Sequence, residues 1–174
     1  MENKSYLCNV KKLQCLMKEA KLKTISGNDN VCIYSICFDG SDESEFEKFL
    51  NKFKDNARYN KAFNIILQAI SKCMADGVLE RFFRREGKQS DSVAGLAIDS
   101  QRLRLYCLRM SEQILILGNG GIKNKRTYEE IPELMGYVID LQLFEKALKE
   151  AQRSGRVTIE RNMITGIESA TFTI

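Results

Sequence analysis

Three apolar stretches in quick succession, residues 93–98, 103–109 and 114–117, constrain the fold of this chain more than any other feature. They are separated only by Asp99 to Arg102, with the turn at Asp99 to Gln101, and by Met110 to Gln113. Links this short join antiparallel neighbours, whereas a crossover to a parallel strand needs a dozen residues or more. The spacing therefore predicts a meander of three antiparallel strands.

The segments around the meander have other periods. Val31, Ile33, Tyr34 and Ile36 sit in a β-branched and aromatic run that reads as a buried strand over 31–38. Ser41 or Asp42 then caps a helix carrying Phe46, Phe49, Leu50 and Phe53 on one face. A second helix is expected over 61–75, with Phe63, Ile66, Leu67, Ile70 and Met74 aligned and Gly77 as a left-handed cap. Residues 5–23 repeat Val10, Leu13, Met17 and Ala20 at helical spacing, and residues 79–85 fit either an edge strand or a loop. Beyond Pro132 a helix over 138–152 presents Leu141, Phe144, Leu148 and Ala151; residues 157–159 and 164–174 read as strands linked through Arg161 and Asn162. The expected class is α+β: a helical hairpin packed on a small antiparallel sheet, with an added N-terminal helix and a C-terminal helix plus β-hairpin. The expected organisation is a single domain over 1–174, made of a helical extension (1–26), a core (31–130) and a C-terminal extension (131–174).

Composition excludes several kinds of chemistry. The chain has no histidine, which removes imidazole acid–base catalysis and the nucleophilic triads built on it. Its six cysteines include no CxxC pair, and Cys32, Cys37 and Cys107 lie in apolar runs where a thiol packs as a small hydrophobe. No metal or cofactor is expected. With no run of 18 apolar residues and no signal-peptide pattern, no membrane association is expected and the cytoplasm is the expected location.

Charge is unevenly placed. Residues 78–128 hold ten Lys and Arg against five Asp and Glu, while residues 129–174 are net acidic. A localised basic surface suits a polyanion or, equally, a solvated and salt-bridged face. Along 103–109 the strand period turns Arg102, Arg104, Tyr106 and Leu108 to one side. An arginine on a central strand is either paired with an acid, here Glu80 or Glu112, or open to an anion. The next strand runs into Gly118-Asn119-Gly120-Gly121, followed by Lys123, Lys125, Arg126 and Tyr128. Glycines there allow close backbone approach to a phosphate-rich partner, or mark a plain surface turn. Walker spacing is absent.

The phrases Leu103-Arg104-Leu105-Tyr106 and Leu117-Gly118-Asn119-Gly120-Gly121-Ile122-Lys123 resemble the strand arginine motif and the glycine- and lysine-containing turn of the bacterial RelE/ParE/HigB toxins. The resemblance spans roughly residues 31–130 and implies a RelE-like core. It also implies a metal-independent ribonuclease that cuts messenger RNA on the ribosome through attack of the 2′-hydroxyl on the adjacent phosphate. In that scheme Arg104 stabilises the phosphorane-like transition state, Lys123 assists the leaving oxygen, Arg126 adds positive charge, and Tyr128 orients the base. Arg84, Arg85, Lys88, Arg102, Arg109 and Lys125 are the expected RNA contacts. The first meander strand lacks the lysines that serve some relatives as bases. Implied partners are a cognate antitoxin, the ribosome and messenger RNA. The alternatives are a non-catalytic member acting on a gyrase-type target and an inactive scaffold for a protein interface. The N-terminal segment either docks on the core or grips RNA.

Overall fold

A computed structural model describes residues 17–96 and 102–174. Strand β1 (Glu19–Gly27) buries Ala20 and Leu22 and exposes Glu19 and Lys21, the period of a half-covered strand. It returns antiparallel as β2 (Cys32–Phe38), and the turn is closed by Asn28, whose side-chain oxygen accepts from the N–H groups of Asn30 (2.9 Å) and Val31 (2.8 Å). Helix α1 (Glu45–Phe53) starts at Ser44, with a reciprocal capping box to Glu47. The cap therefore lies two residues or more beyond the expected Ser41 or Asp42. Helix α2 (Asn60–Asp76) ends at Gly77, whose φ of 101° is positive while its ψ of 162° is extended, so it is not the left-handed cap expected there.

A short 3-10 turn (Glu80–Phe82) leads into β3 (Phe83–Arg85), which resolves the ambiguity of 79–85 in favour of an edge strand. The meander follows as β4 (Val93–Leu96), β5 (Leu103–Arg109) and β6 (Ile114–Ile122), antiparallel throughout. The remaining elements are α3 (Pro132–Arg153), the small hairpin β7 (Thr158–Ile159) and β8 (Ile164–Thr165), and β9 (Phe172–Thr173).

The expected class is overturned. In place of a small antiparallel sheet under a helical hairpin, there is a seven-stranded mixed sheet in the order β3-β4-β5-β6-β2-β1-β9, plus the separate two-stranded β7-β8 sheet. Strand β2 lies parallel to β6, with Ser35 opposite Leu117. Helices α1 and α2 cover one face through Phe46, Phe49, Phe53, Phe63 and Ile66; α3 covers the other through Leu134, Val138, Leu141, Phe144 and Leu148. Two features overlooked in the sequence produce this. The helical spacing expected through residue 23 gives way to the period of two in β1, and residues 5–16 of that expected helix lie outside the described residues. The C-terminal helix and strand are no appendage, because α3 and Phe172 fill the second core.

The glycine run is part of the sheet. Between the pairs Leu105–Gly120 and Cys107–Leu117 the ladder shifts register, so Tyr106 faces both Gly118 and Asn119. A Cβ on Gly121 would come within 3.0 Å of Leu134 Cδ2, one on Gly118 within 3.1 Å of Leu141 Cδ2, and one on Gly120 would fall on the Arg104 carbonyl. These glycines seat α3 and the bulge against the neighbouring backbone. Gly120→Ala is expected to destabilise the fold by about 1–3 kcal/mol, read as a lower midpoint in urea unfolding.

Lys23 of β1 is bonded to Glu47 of α1 at 2.8 Å. That bond, helped by Ser44, holds the Glu47 carboxyl at about 2, below its ordinary 4.5. Because the folded value is depressed, the stabilisation is complete above pH 4.5 and is lost as pH falls toward 2. The stability gap between the native chain and Glu47→Gln, measured by denaturation across that range, should shrink as pH falls.

Candidate functional site

Strand alternation divides β5 cleanly. Leu103, Leu105 and Cys107 enter the core under α1 and α2, while Tyr106 and Leu108 enter the core under α3. Arg104 shares the α3 side with them. Its cross-strand partner is Gly121; that of Tyr106 on β4 is Gly95, which in turn pairs with Arg84 on β3. One face of the sheet, beside the N-terminal end of α3, therefore gathers Arg84, Arg104 and Tyr106. Lys123 joins them, since its N–H donates to the Arg102 carbonyl at 2.7 Å just past the β5–β6 ladder.

Glu86 completes the cluster. A Cβ on Gly95 would come within 3.2 Å of Glu86 Cγ and 3.7 Å of Oε1, so the glutamate lies across the space that this glycine leaves open. Its Oε1 is 3.7 Å from Lys123 Nζ, and both side chains are mostly buried, at 11% and 16% exposure. Among the described residues, Glu86 is an acid whose charge acts on Arg104. Glu80 and Glu112, the partners expected from sequence, line separate clefts. Arg104 is only 8% exposed and donates from Nη1 to the Leu103 carbonyl at 3.0 Å. Burial pushes its pKa down, and the charge of Glu86 opposes that shift.

Two tyrosines wall the cluster. The rings of Tyr106 and Tyr128 meet edge to face at 6.2 Å. Tyr106 is fully buried, and among the described residues its hydroxyl has no hydrogen-bond partner. Burial first, then the nearby Glu86, raises its pKa; burial likewise raises that of the half-buried Tyr128, seconded by Glu129.

Not every expected residue converges. Arg84, Arg104, Lys123 and Tyr128 do, with exposed Arg102 at the margin. Arg85 and Arg109 line a cleft of about 150 Å³ with Glu80 and Asp91, and Arg109 Nε is tied to the Val78 carbonyl at 2.8 Å. Lys88 is exposed in the loop after β3, and Lys125 and Arg126 are exposed between β6 and α3. Arg126 therefore stands at the rim rather than in the centre. Glu86 is the residue that sequence reasoning missed. Its signal was a glycine on an apolar strand, with a carboxylate two residues beyond Arg84 in the register that crosses it. Comparison of the chain with protein-family models, with curated proteins and with solved structures gives no match.

A buried hydroxyl without a partner costs about 1–3 kcal/mol of desolvation. Tyr106→Phe is accordingly expected to leave stability unchanged or to raise it, as measured by urea unfolding.

Proposed function

We propose that this chain is a metal-independent endoribonuclease of the toxin type, cutting messenger RNA at the ribosome. The observation that carries the proposal is the convergence of Glu86, Arg104, Lys123 and Tyr128 on one face of the sheet. The likeness of residues 103–106 and 117–123 to the RelE/ParE/HigB motifs supports it independently of the fold. Glu86 supplies the base that the first meander strand lacks. Its carboxylate takes the 2′-hydroxyl proton, and the 2′-oxygen attacks phosphorus. The P–O5′ bond breaks with its electron pair on O5′, and Lys123 gives that oxygen a proton. The products are a 2′,3′-cyclic phosphate and a 5′-hydroxyl end. Arg104, held on the floor of the cluster, stabilises the extra negative charge of the phosphorane more than the ground-state phosphate. Tyr128 presents a ring for base stacking.

Arg84, Arg102, Lys125 and Arg126 form an exposed basic rim suited to the RNA backbone. The same rim suits an acidic antitoxin as cognate partner, and a messenger RNA substrate calls for the cytoplasm. Among the described residues no helix is long and apolar enough to cross a membrane.

One observation favours a second function. Arg104 is almost fully enclosed, as expected of an arginine that organises a binding surface without touching a scissile phosphate. The two are separated by inducing the chain in a bacterial host and mapping messenger RNA ends by primer extension. Codon-phased cuts are expected, reduced about 10²–10⁴-fold by Glu86→Gln and strongly by Lys123→Ala. Growth arrest with intact RNA would overturn the nuclease and leave a binding toxin.

A further inference from the structure

Strand β3 ends, β4 begins and β5 ends at the same rim of the sheet, and the cleft of about 150 Å³ opens there. Arg85 pairs with Ala94, and Ala94 with Cys107. Alternation then turns Arg85 and Arg109 to the side covered by α1 and α2, away from Arg104. Phe83 and the small, buried Ala94 give the cleft an apolar wall, while Glu80 and Arg85 stand exposed at its mouth.

Glu80, Arg85, Asp91 and Arg109 line the cleft, two charges of each sign, yet among the described residues none of the four forms an ion pair. Asp91 is engaged by its own loop and by α3. Its Oδ2 accepts from Lys88 N at 3.0 Å and Gln142 Nε2 at 2.7 Å, and its Oδ1 accepts from Val93 N at 3.2 Å. Arg109 is held without being neutralised: Nε donates to the Val78 carbonyl at 2.8 Å, which leaves both terminal amino groups for another partner. A half-buried guanidinium in that state has lost hydration without gaining a counter-charge. Fixing Nε also removes side-chain freedom that a ligand would otherwise have to quench.

We propose that this cleft binds a small aliphatic α-amino acid. The terminal fork of Arg109 takes the carboxylate, Glu80 takes the ammonium, and the aliphatic side chain lies on Phe83 and Ala94. Opposite charges that line one cleft without pairing match a ligand that carries both, whereas a simple anion would be repelled by Glu80. The volume suits roughly six to ten heavy atoms, since a closed cavity of that size holds benzene and this one is open at its mouth. The site stands apart from the ribonuclease reading, because none of its residues belongs to the Glu86 cluster.

The test titrates the full-length protein by isothermal calorimetry with L-valine, with isovalerate, which lacks the ammonium, and with isobutylamine, which lacks the carboxylate. L-Valine should bind saturably and about tenfold or more tighter than either analogue. Glu80→Gln, a change at an exposed position outside both cores, should weaken L-valine about tenfold and leave isovalerate no weaker. Arg109→Lys should weaken L-valine and isovalerate alike, because an ammonium lacks the planar fork. No saturable binding of L-valine, binding no tighter than that of isovalerate, or binding that neither substitution changes would overturn the proposal.

Discussion

Contact between the glycines of β6 and the leucines of α3 is the constraint on which the architecture turns. A Cβ at Gly118 or Gly121 would meet Leu141 or Leu134 at 3.1 and 3.0 Å, so those leucines would have to shift outward from the strand they now pack on. The bulge opposite Tyr106 belongs to the same arrangement. It admits Gly120 against the Arg104 backbone and sends Asn119 toward α1, where Nδ2 donates to Glu45 at 2.8 Å and Oδ1 accepts from Gly120 N at 2.7 Å. One strand thereby holds helices on both of its faces.

The same packing sets the electrostatics of the candidate site. Seating α3 on β6 withdraws Arg104 and Tyr106 from water, and a withdrawn guanidinium needs negative charge nearby. Glu86 supplies it from the edge of the sheet while also facing Lys123. One carboxylate between two cations leaves an excess of positive charge. Under the function proposed above, a phosphodiester would bring the second negative charge that these cations can serve.

Much of the fold was legible from local pattern. The strands at 32–38, 93–96 and 103–109, the helices at 45–53 and 60–76 and the tail hairpin follow from periodicity and turn residues. What escaped was decided by distant partners. Glu19 to Lys23 reads as the end of a helix until β2 and β9 offer β1 hydrogen bonds on both sides. Gly118 to Gly121 reads as a ligand loop until Leu134 and Leu141 take the space above it. For the site, alternation along β5 gave Arg104 and Tyr106 a common face, but it carried no information about Glu86, which reaches them across two strand pairings. Arg85 and Arg109 shared the basic segment yet fall in another cleft, since charge along a chain does not record which side of a sheet each residue takes.

The parallel pairing of β2 with β6 has a kinetic consequence. Ser35 donates from Oγ to the Leu117 carbonyl at 2.8 Å across 82 positions of sequence, and the same oxygen accepts from Phe46 N at 3.1 Å to anchor α1. Contacts so remote carry a large loop-closure entropy, whereas the β4–β5–β6 ladder closes over short links. Assembly should therefore proceed from a locally formed ribbon, with the middle of the sheet zipped up late in the search for the native state.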